Sequence, residues 1–258
     1  MLLAVNVGNA TTVLGLFDEQ RLEHRWSLSS VRQRTADEHR LLIRGLLDEV
    51  DVDLEDELDG VVLASVVPTV TEPLNALFTE VLPAGRPPVV LGPGVRTGMS
   101  IRHDHPKDLG ADRIANAVAV SALYGGPAIV VDLGTAISFD AVDAESAFVG
   151  GAIAPGVLTA ADALAARAAK LPTVEPVAPA SPIGRSTVTA LQSGIVYGAA
   201  ALVDGMVSRL SLELGSGVTT VATGDQAPLV LEHCGTIDHH DPALTLKGLR
   251  LVWERNVR

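Results

Sequence analysis

The chain repeats its own beginning. Its first strand-like run leads into "NVGNATTVLGLF", and from Ala128 onward "AIVVDLGTAISFDAVDAESAFVGGAIAPG" returns to the same order of parts. Each copy has an apolar strand, an X-x-Gly-small-Ala turn, an alternating strand, an acidic turn and a third strand. Aligned on the glycine, Asn6 falls on Asp132, Gly8 on Gly134, Asn9 on Thr135 and Ala10 on Ala136. The matches lie in a turn and not in generic strand, which favours duplication of one three-strand unit. Two such units, each completed by helices, predict two similar α/β lobes facing each other across a ligand cleft. The alternative is that two antiparallel meanders entered through glycine look alike by chance.

The rest of the pattern fits between and after the copies. "RLEHRWSL" alternates as a strand, and "ADEHRLLIRGLLDEV" has helical spacing with acidic residues in its first turn. "GVVLASVV" is a short buried strand closed by Pro68, followed by a helix over Val70 to Leu82 and a strand around "PVVLG". Further predicted elements are a helix after Pro106, a long helix over Thr187 to Leu214, a strand "VTTVATG" and a final helix over Ala243 to Asn256.

Composition narrows the partners. Aromatics are 3% of 258 residues, so the core must be aliphatic, and the formal charge of −12 opposes a phosphate backbone or an anionic membrane. The single cysteine, Cys234, excludes an internal disulfide and fits a reducing cytoplasm. No signal-like start is expected, and the most apolar stretch, Gly194 to Val207, is cut by Asp204. The expectation is a cytoplasmic protein with no nucleic-acid or membrane partner.

A strand ending in D-x-G-T offers phosphate oxygens backbone N–H groups and a hydroxyl. Gly8 and Gly134 are expected to allow close approach and unusual φ. A carboxylate at the strand end can hold a cation, which Asp132 can supply and neutral Asn6 cannot. Either turn alone is equally readable as structural. "GADR" puts Asp112 and Arg113 at a loop–helix boundary. There a carboxylate can take a hydroxyl proton and a guanidinium can hold an anion. The competing reading is a first-turn acid favoured by the helix dipole. Ser186 and Thr187 sit at a helix start, suited to capping or to an anion. "HDH" (103–105) and "HCGTIDHHD" (233–241) contain ligand types without zinc-like spacing.

Taken together, "NVGNATTVLGLF", "RTGMSIRHDHPKDLGADRI", "IVVDLGTAISFDAV", "GGAIAPGV", "TALQSGIVYG" and "LTLKGLRLVWERN" resemble type III pantothenate kinases. That family belongs to the acetate kinase/sugar kinase/Hsp70/actin superfamily, and the resemblance runs essentially end to end. It implies two duplicated ribonuclease H-like (actin-like ATPase) lobes, each a mixed sheet flanked by helices, divided here as 1–115 and 116–258. It also implies a homodimer that phosphorylates pantothenate with ATP, Mg²⁺ and a monovalent cation, K⁺ or NH₄⁺. By position, Asn6, Val7, Gly8, Asn9, Ala10, Thr11, Thr12 and Val13 match the ATP loop, and Thr135 a further ATP contact. Asp112 matches the general base. His103, Gly110, Ala111, Arg113 and Thr187 match pantothenate contacts, Thr187 across the dimer, and Asp132 matches the cation ligand. The chain departs from the family pattern at Asn6 and Ala10, at His103 where a tyrosine is usual, and at Asp225 where a glycine is expected. Those departures make a fold-retaining nucleotide-binding or regulatory protein the alternative expectation.

Overall fold

The computed structural model describes residues 1–83 and 85–257. In the first sheet, β1 (Leu2–Val7) pairs antiparallel with β2 (Thr11–Asp18), and β2 with β3 (Arg21–Ser29). On its other side β1 runs parallel to β4 (Gly60–Ser65), and β4 to β5 (Val89–Val90). The second sheet is built from β6 (Ala128–Leu133), β7 (Ala136–Val142), β8 (Phe148–Pro155), β9 (Thr219–Thr223) and β10 (His239–His240). Its order, β8-β7-β6-β9-β10, repeats β3-β2-β1-β4-β5 strand for strand, with the same parallel and antiparallel pairings. The duplication read from the turn is therefore a duplication of topology. β1 and β6 also share one burial pattern, with a single half-buried residue in each: Asn6 and Asp132.

The strand pairing corrects the alignment by one residue. Val7 lies opposite Thr12, whereas Leu133 lies opposite Ile137. The first turn thus spans Gly8 to Ala10 and the second only Gly134 and Thr135, so Ala136 corresponds to Thr11 and not to Ala10. An ungapped sequence alignment has no means of detecting a loop one residue longer.

Each sheet has its own aliphatic core. Leu3, Val5, Val7, Leu14 and Leu16 alternate onto one face of the first sheet and meet Ile43 and Leu47 of α1 (Ala36–Asp48). Val70, Leu74, Leu77 and Phe78 of α2 (Pro68–Val81) complete that core. A capping box starts α1: the Glu38 N–H donates to Thr35 Oγ1 at 3.3 Å, and the Thr35 N–H to Glu38 Oε2 at 2.7 Å. In the second unit, Ile129, Val131, Ile137 and Phe139 pack with Ile195, Val196, Val203 and Val207 of α5 (Thr187–Leu214). The bounds of α5 match the sequence expectation. By length and composition alone α5 is long and apolar enough to cross a membrane, although Asp204 interrupts its apolar run. Its Asp204, however, accepts hydrogen bonds from the backbone N–H groups of Gly235 and Thr236, both at 3.0 Å, and from the Thr236 hydroxyl at 2.7 Å. Those bonds and its buried edge tie it to the second core.

The chain divides into one compact unit of Met1–Gly98, His105–Ala119 and Leu244–Arg258, and a second of Met99–Asp104 and Val120–Ala243. A single cut between residues 115 and 116 does not describe this. The final helix, α6 (Leu244–Asn256), returns to the first unit and packs on β1, β2 and β4. Trp253 lies over Gly60, where a Cβ would come within 2.5 Å of its indole nitrogen. Asn256 brackets Arg96, accepting from its N–H at 3.1 Å and donating to its carbonyl at 2.9 Å. Thr245 Oγ1 donates to Asn116 Oδ1 at 2.7 Å, in the first turn of α6 and on α3 (Ala111–Leu123) respectively. The tail "LTLKGLRLVWERN" is thus a structural motif. The short segment Met99–Asp104 joins the second unit because the Arg102 N–H and the Ser100 carbonyl both bond to the Phe148 backbone.

His39 on α1 is 3% exposed and its Nε2 has no hydrogen-bond partner. Burial, assisted by the Arg34 guanidinium and opposed by Glu38, pushes its pKa down to about 4. The folded state therefore keeps His39 neutral while the unfolded chain takes the proton. The stability linked to His39 is complete above pH 6.5 and is lost as pH falls through the window from 6.5 to about 4. Denaturant melts at pH 7 and 4.5 should show His39→Leu escaping an acid loss on the order of 2 kcal/mol.

Candidate active site

The first turn stands at the carboxyl end of β1. The Gly8 N–H donates to the Thr11 carbonyl, and the Ser30 N–H to the Ala10 carbonyl, both at 2.9 Å. Asn9 and Ala10 form its exposed tip. Strand alternation puts Asn6, Thr11 and Val13 on one face and Val7 with Thr12 on the core face. Thr12 is only 4% exposed, with its hydroxyl hydrogen-bonded to Ser30 Oγ at 2.8 Å. Its side chain ties strands together and does not face the tip. Asn6 sits between Val13 and Ala64 in the sheet, and its Oδ1 is buried without a hydrogen-bond partner. A lone buried acceptor of this kind costs about 1–3 kcal/mol.

The "GADR" stretch lies at the same edge. The Val66 N–H, just past β4, donates to the Val7 carbonyl at 3.1 Å, and the Val66 side chain approaches Gly110. A Cβ on Gly110 would come within 2.5 Å of Asp112 Oδ1 and 3.6 Å of Val66. Gly110 therefore leaves space for the carboxylate at the start of α3, where the Ile114 N–H closes on the Gly110 carbonyl. Ala111 is buried, and Asp112 and Arg113 are partly exposed. Asp112 Oδ1 accepts from the Arg113 N–H at 2.8 Å. Burial pushes the Asp112 carboxyl above its usual range, against the opposing pull of that N–H and the Arg113 guanidinium. A desolvated carboxylate with a raised pKa, beside a glycine turn at the carboxyl ends of parallel strands, is suited to general base work.

The second turn is shaped by glycines that are distant in sequence. Neither Gly8 nor Gly134 has positive φ, contrary to expectation. A Cβ on Gly8 would be a tight fit, 3.0 Å from the Thr11 carbonyl, whereas nothing lies closer than 3.9 Å to that position on Gly134. The close approaches belong to Gly156 and Gly224. A Cβ on Gly156 would fall 2.1 Å from the Gly134 carbonyl and 2.6 Å from that of Thr135. Gly224, at φ +98°, would meet the Leu133 carbonyl at 2.3 Å. The turn is pinned further by the Gly156 N–H and Thr159 hydroxyl donating to the Thr135 carbonyl, at 3.1 and 2.7 Å. Gln226 fastens its flank, donating from its N–H to the Leu133 carbonyl at 2.9 Å and accepting from the Leu158 N–H at 3.1 Å. Leu158 lies in the first turn of α4 (Val157–Arg167).

Asp225 Oδ1 lies 3.9 Å from the Cβ position of Gly134, so this negative residue does stand beside the turn. Gly156→Ala is expected to displace the Gly134–Thr135 backbone and to destabilise the second unit by about 3 kcal/mol or more, which urea titration followed by circular dichroism measures.

Two further candidate residues, His103 and Thr187, belong to the second unit. His103 tilts against Phe148 with ring centroids 6.3 Å apart. Thr187 is the exposed first residue of α5, capped by Ser186, whose Oγ accepts from the Thr189 N–H at 3.2 Å. It lines a shallow depression of about 660 Å³ with Leu171, Gly184, Arg185, Ser186, Ala190 and Leu191. Among the described residues, no three His, Cys, Asp or Glu side chains group as a metal site, so the two histidine-rich stretches form none. Asp140, which the sequence reading did not single out, is fully buried on β7 on the same sheet face as Asp132 and Ser138. Period-two alternation from Asp132 is the signal that could have found it.

Residues 2–209 match the family model described as type III pantothenate kinase. A type III pantothenate kinase of Moorella thermoacetica is 52% identical over 256 residues, covering 99% of this chain and 100% of that protein. One from Streptomyces coelicolor is 49% identical, covering 100% and 99%. Among solved structures, the activator of 2-hydroxyisocaproyl-CoA dehydratase from Clostridium difficile with bound ADPNP superposes with a TM-score of 0.57 at 12% identity, covering 99% and 93%. The ROK hexokinase from Thermus thermophilus gives 0.54 at 16%, covering 97% of each chain. At such identities these two structures speak for the fold alone, and that fold is the actin-like ATPase and sugar kinase fold.

Proposed function

We propose that this protein, which belongs to the type III pantothenate kinase family, transfers the γ-phosphoryl group of ATP to the primary hydroxyl of pantothenate. The product is 4′-phosphopantothenate, and the step is the first toward coenzyme A. The observation that carries this reading within the structure is the desolvated Asp112 carboxylate at the same strand ends as the Asn6–Val13 turn. Asp112 takes the hydroxyl proton as the oxygen attacks, and Arg113, with Gly110 and Ala111, holds the anionic pantothenate. The backbone N–H groups of the first turn and the Thr135 region hold the phosphates of ATP. His103 and Thr187 complete the pantothenate contacts, Thr187 across a homodimer.

Two observations bear on the metals. Asn6 Oδ1 is a buried oxygen without a partner, and Asp132 is its carboxylate counterpart at the matching strand end. Both are hard oxygen donors of the kind that Mg²⁺ or K⁺ accepts, so we assign Asn6 toward the divalent ion and Asp132 toward a monovalent K⁺ or NH₄⁺. When bound, the divalent ion neutralises charge on the transferring phosphates. A homodimer is supported by the exposed line of Gly194, Gly198 and Gly205 on α5, open to close approach, and by exposed Ile183, Val188 and Leu212 nearby in sequence. The reading places the protein in the cytoplasm with its ATP supply, and the charge of −12 supports neither nucleic acid nor anionic membrane as partner.

The test is a purified-protein assay with ATP, Mg²⁺, K⁺ and pantothenate, following 4′-phosphopantothenate by mass. Turnover by the natural chain, lost in Asp112→Asn, is the expected result. Failure of both the natural chain and Asn6→Asp to turn over, with ATP still bound, overturns it.

A further inference from the structure

We infer that Asp225 is a specificity-determining residue of the second turn, its carboxylate accepting hydrogen bonds from the ribose hydroxyls of the bound nucleotide. The inference rests on the kinase reading and deepens it. It starts from a side-chain position: Asp225 is exposed, and its Oδ1 lies 3.9 Å from the Cβ position of Gly134. The backbone is fixed on both sides of it. Gly224, at φ +98°, lies so close to the Leu133 carbonyl that a Cβ there would come within 2.3 Å. The Gln226 N–H donates to that same carbonyl at 2.9 Å, and the buried Gln226 side chain accepts from the Leu158 N–H at 3.1 Å. Two such anchors hold the carboxylate at the rim of the turn before any ligand arrives.

The chemistry of a carboxylate limits what it meets there. When ionised it has two acceptor oxygens, no donor and a full negative charge. Phosphate oxygens repel it, so the phosphates of a nucleotide on this turn take the Thr135 side and leave Asp225 to another part of the ligand. The ribose is the part that offers donors close to the phosphates, and its adjacent 2′ and 3′ hydroxyls match the two oxygens of one carboxylate. Adenine has a single amino group, at the far edge of the base. An acidic side chain takes a ribose hydroxyl in the same way in dinucleotide sites at the ends of parallel strands. Asp225 follows such a strand, since β9 runs parallel to β6 with Thr223 opposite Asp132. A cation is the other partner open to a carboxylate. Asp132 already offers one at the end of β6, and among the described residues no third ligand type joins it in a metal-holding group.

Titration calorimetry with ADP, 2′-deoxy-ADP and 3′-deoxy-ADP tests this without turnover. The arms are the natural chain, Asp225→Ala and Asp225→Asn, each with Mg²⁺ in a K⁺ buffer and in a tetramethylammonium buffer. The natural chain should bind ADP about tenfold or more tighter than the deoxy nucleotides. Asp225→Ala should bind all three alike, and Asp225→Asn should keep part of the preference. The readout is the ratio between nucleotides, because removing the charge also relieves repulsion of phosphate and shifts all three affinities together. Equal affinity of the natural chain for the three nucleotides overturns the inference, and that arm stands whether or not a variant folds. A preference that survives in Asp225→Ala overturns it as well, since the ribose is then read elsewhere. So does an unchanged ratio with the K⁺ dependence lost, because the carboxylate then holds the cation. These outcomes leave the kinase reading standing, whereas absence of ADP binding in every arm overturns both. Melting curves check the fold, and both variants of this exposed residue are expected to melt with the natural chain.

Discussion

Asp112→Asn is expected to lower kcat by about 10²–10⁴-fold, the usual worth of a positioned general base, while ATP still binds. The variant keeps the shape of the side chain and the acceptor for the Arg113 N–H, so its loss isolates proton transfer. Because burial raises the Asp112 pKa, the acid limb of kcat/KM in the natural enzyme should lie above the ordinary aspartate range. The same shift has a consequence for stability. A carboxyl whose folded pKa is raised leaves the two states equal in strong acid. It opposes folding as pH climbs past the unfolded value, and the penalty is complete above the folded one. Asp112→Asn should therefore melt above the natural protein at pH 7 and match it near pH 3. An inactive variant that is more stable cannot be explained by misfolding, and calorimetry beside the kinase assay checks both halves.

Gly248→Ala is expected to destabilise the first unit by about 3 kcal/mol or more. A Cβ at that position would stand 1.9 Å from the Ala115 carbonyl oxygen and 2.6 Å from its carbon, so rigid backbone and not a flexible side chain would have to move. Ala115 belongs to α3, one turn beyond Asp112, and the same crossing carries the buried Asn116–Thr245 hydrogen bond. Stability is only about 5–15 kcal/mol in a typical domain, so one added methyl group should give a large drop in the denaturation midpoint. Activity should fall with it, because α3 carries Asp112, the carboxylate we propose as general base. Urea titration of the variant, with kcat measured at the lowest temperature that keeps it folded, separates the two effects.

Much of the local structure around the candidate site was legible because local chemistry sufficed. Thr187 to Leu214 is helical by apolar periodicity, and Ser186 stands at its start as a capping residue. Asn6 and Asp132 could be matched because the turn that follows each is entered through glycine. What could not be read was whatever depends on residues far apart in the chain. Thr12 matches the ATP loop by position, but its pairing with Val7 turns it onto the core face. Gly134 looked like the glycine the second turn requires, yet Gly156 and Gly224 are the ones pressed against it.

The sequence by itself determined the duplicated α/β plan and the chemical types at the strand ends, because periodicity, turn residues and side-chain charge are properties of short segments. Only the tertiary structure decided that the last helix belongs with the first unit. It also decided that the second turn is one residue shorter than the first and that Asp112 is desolvated. Each of these arises from which backbone lies against which, and a linear order of residues does not contain that.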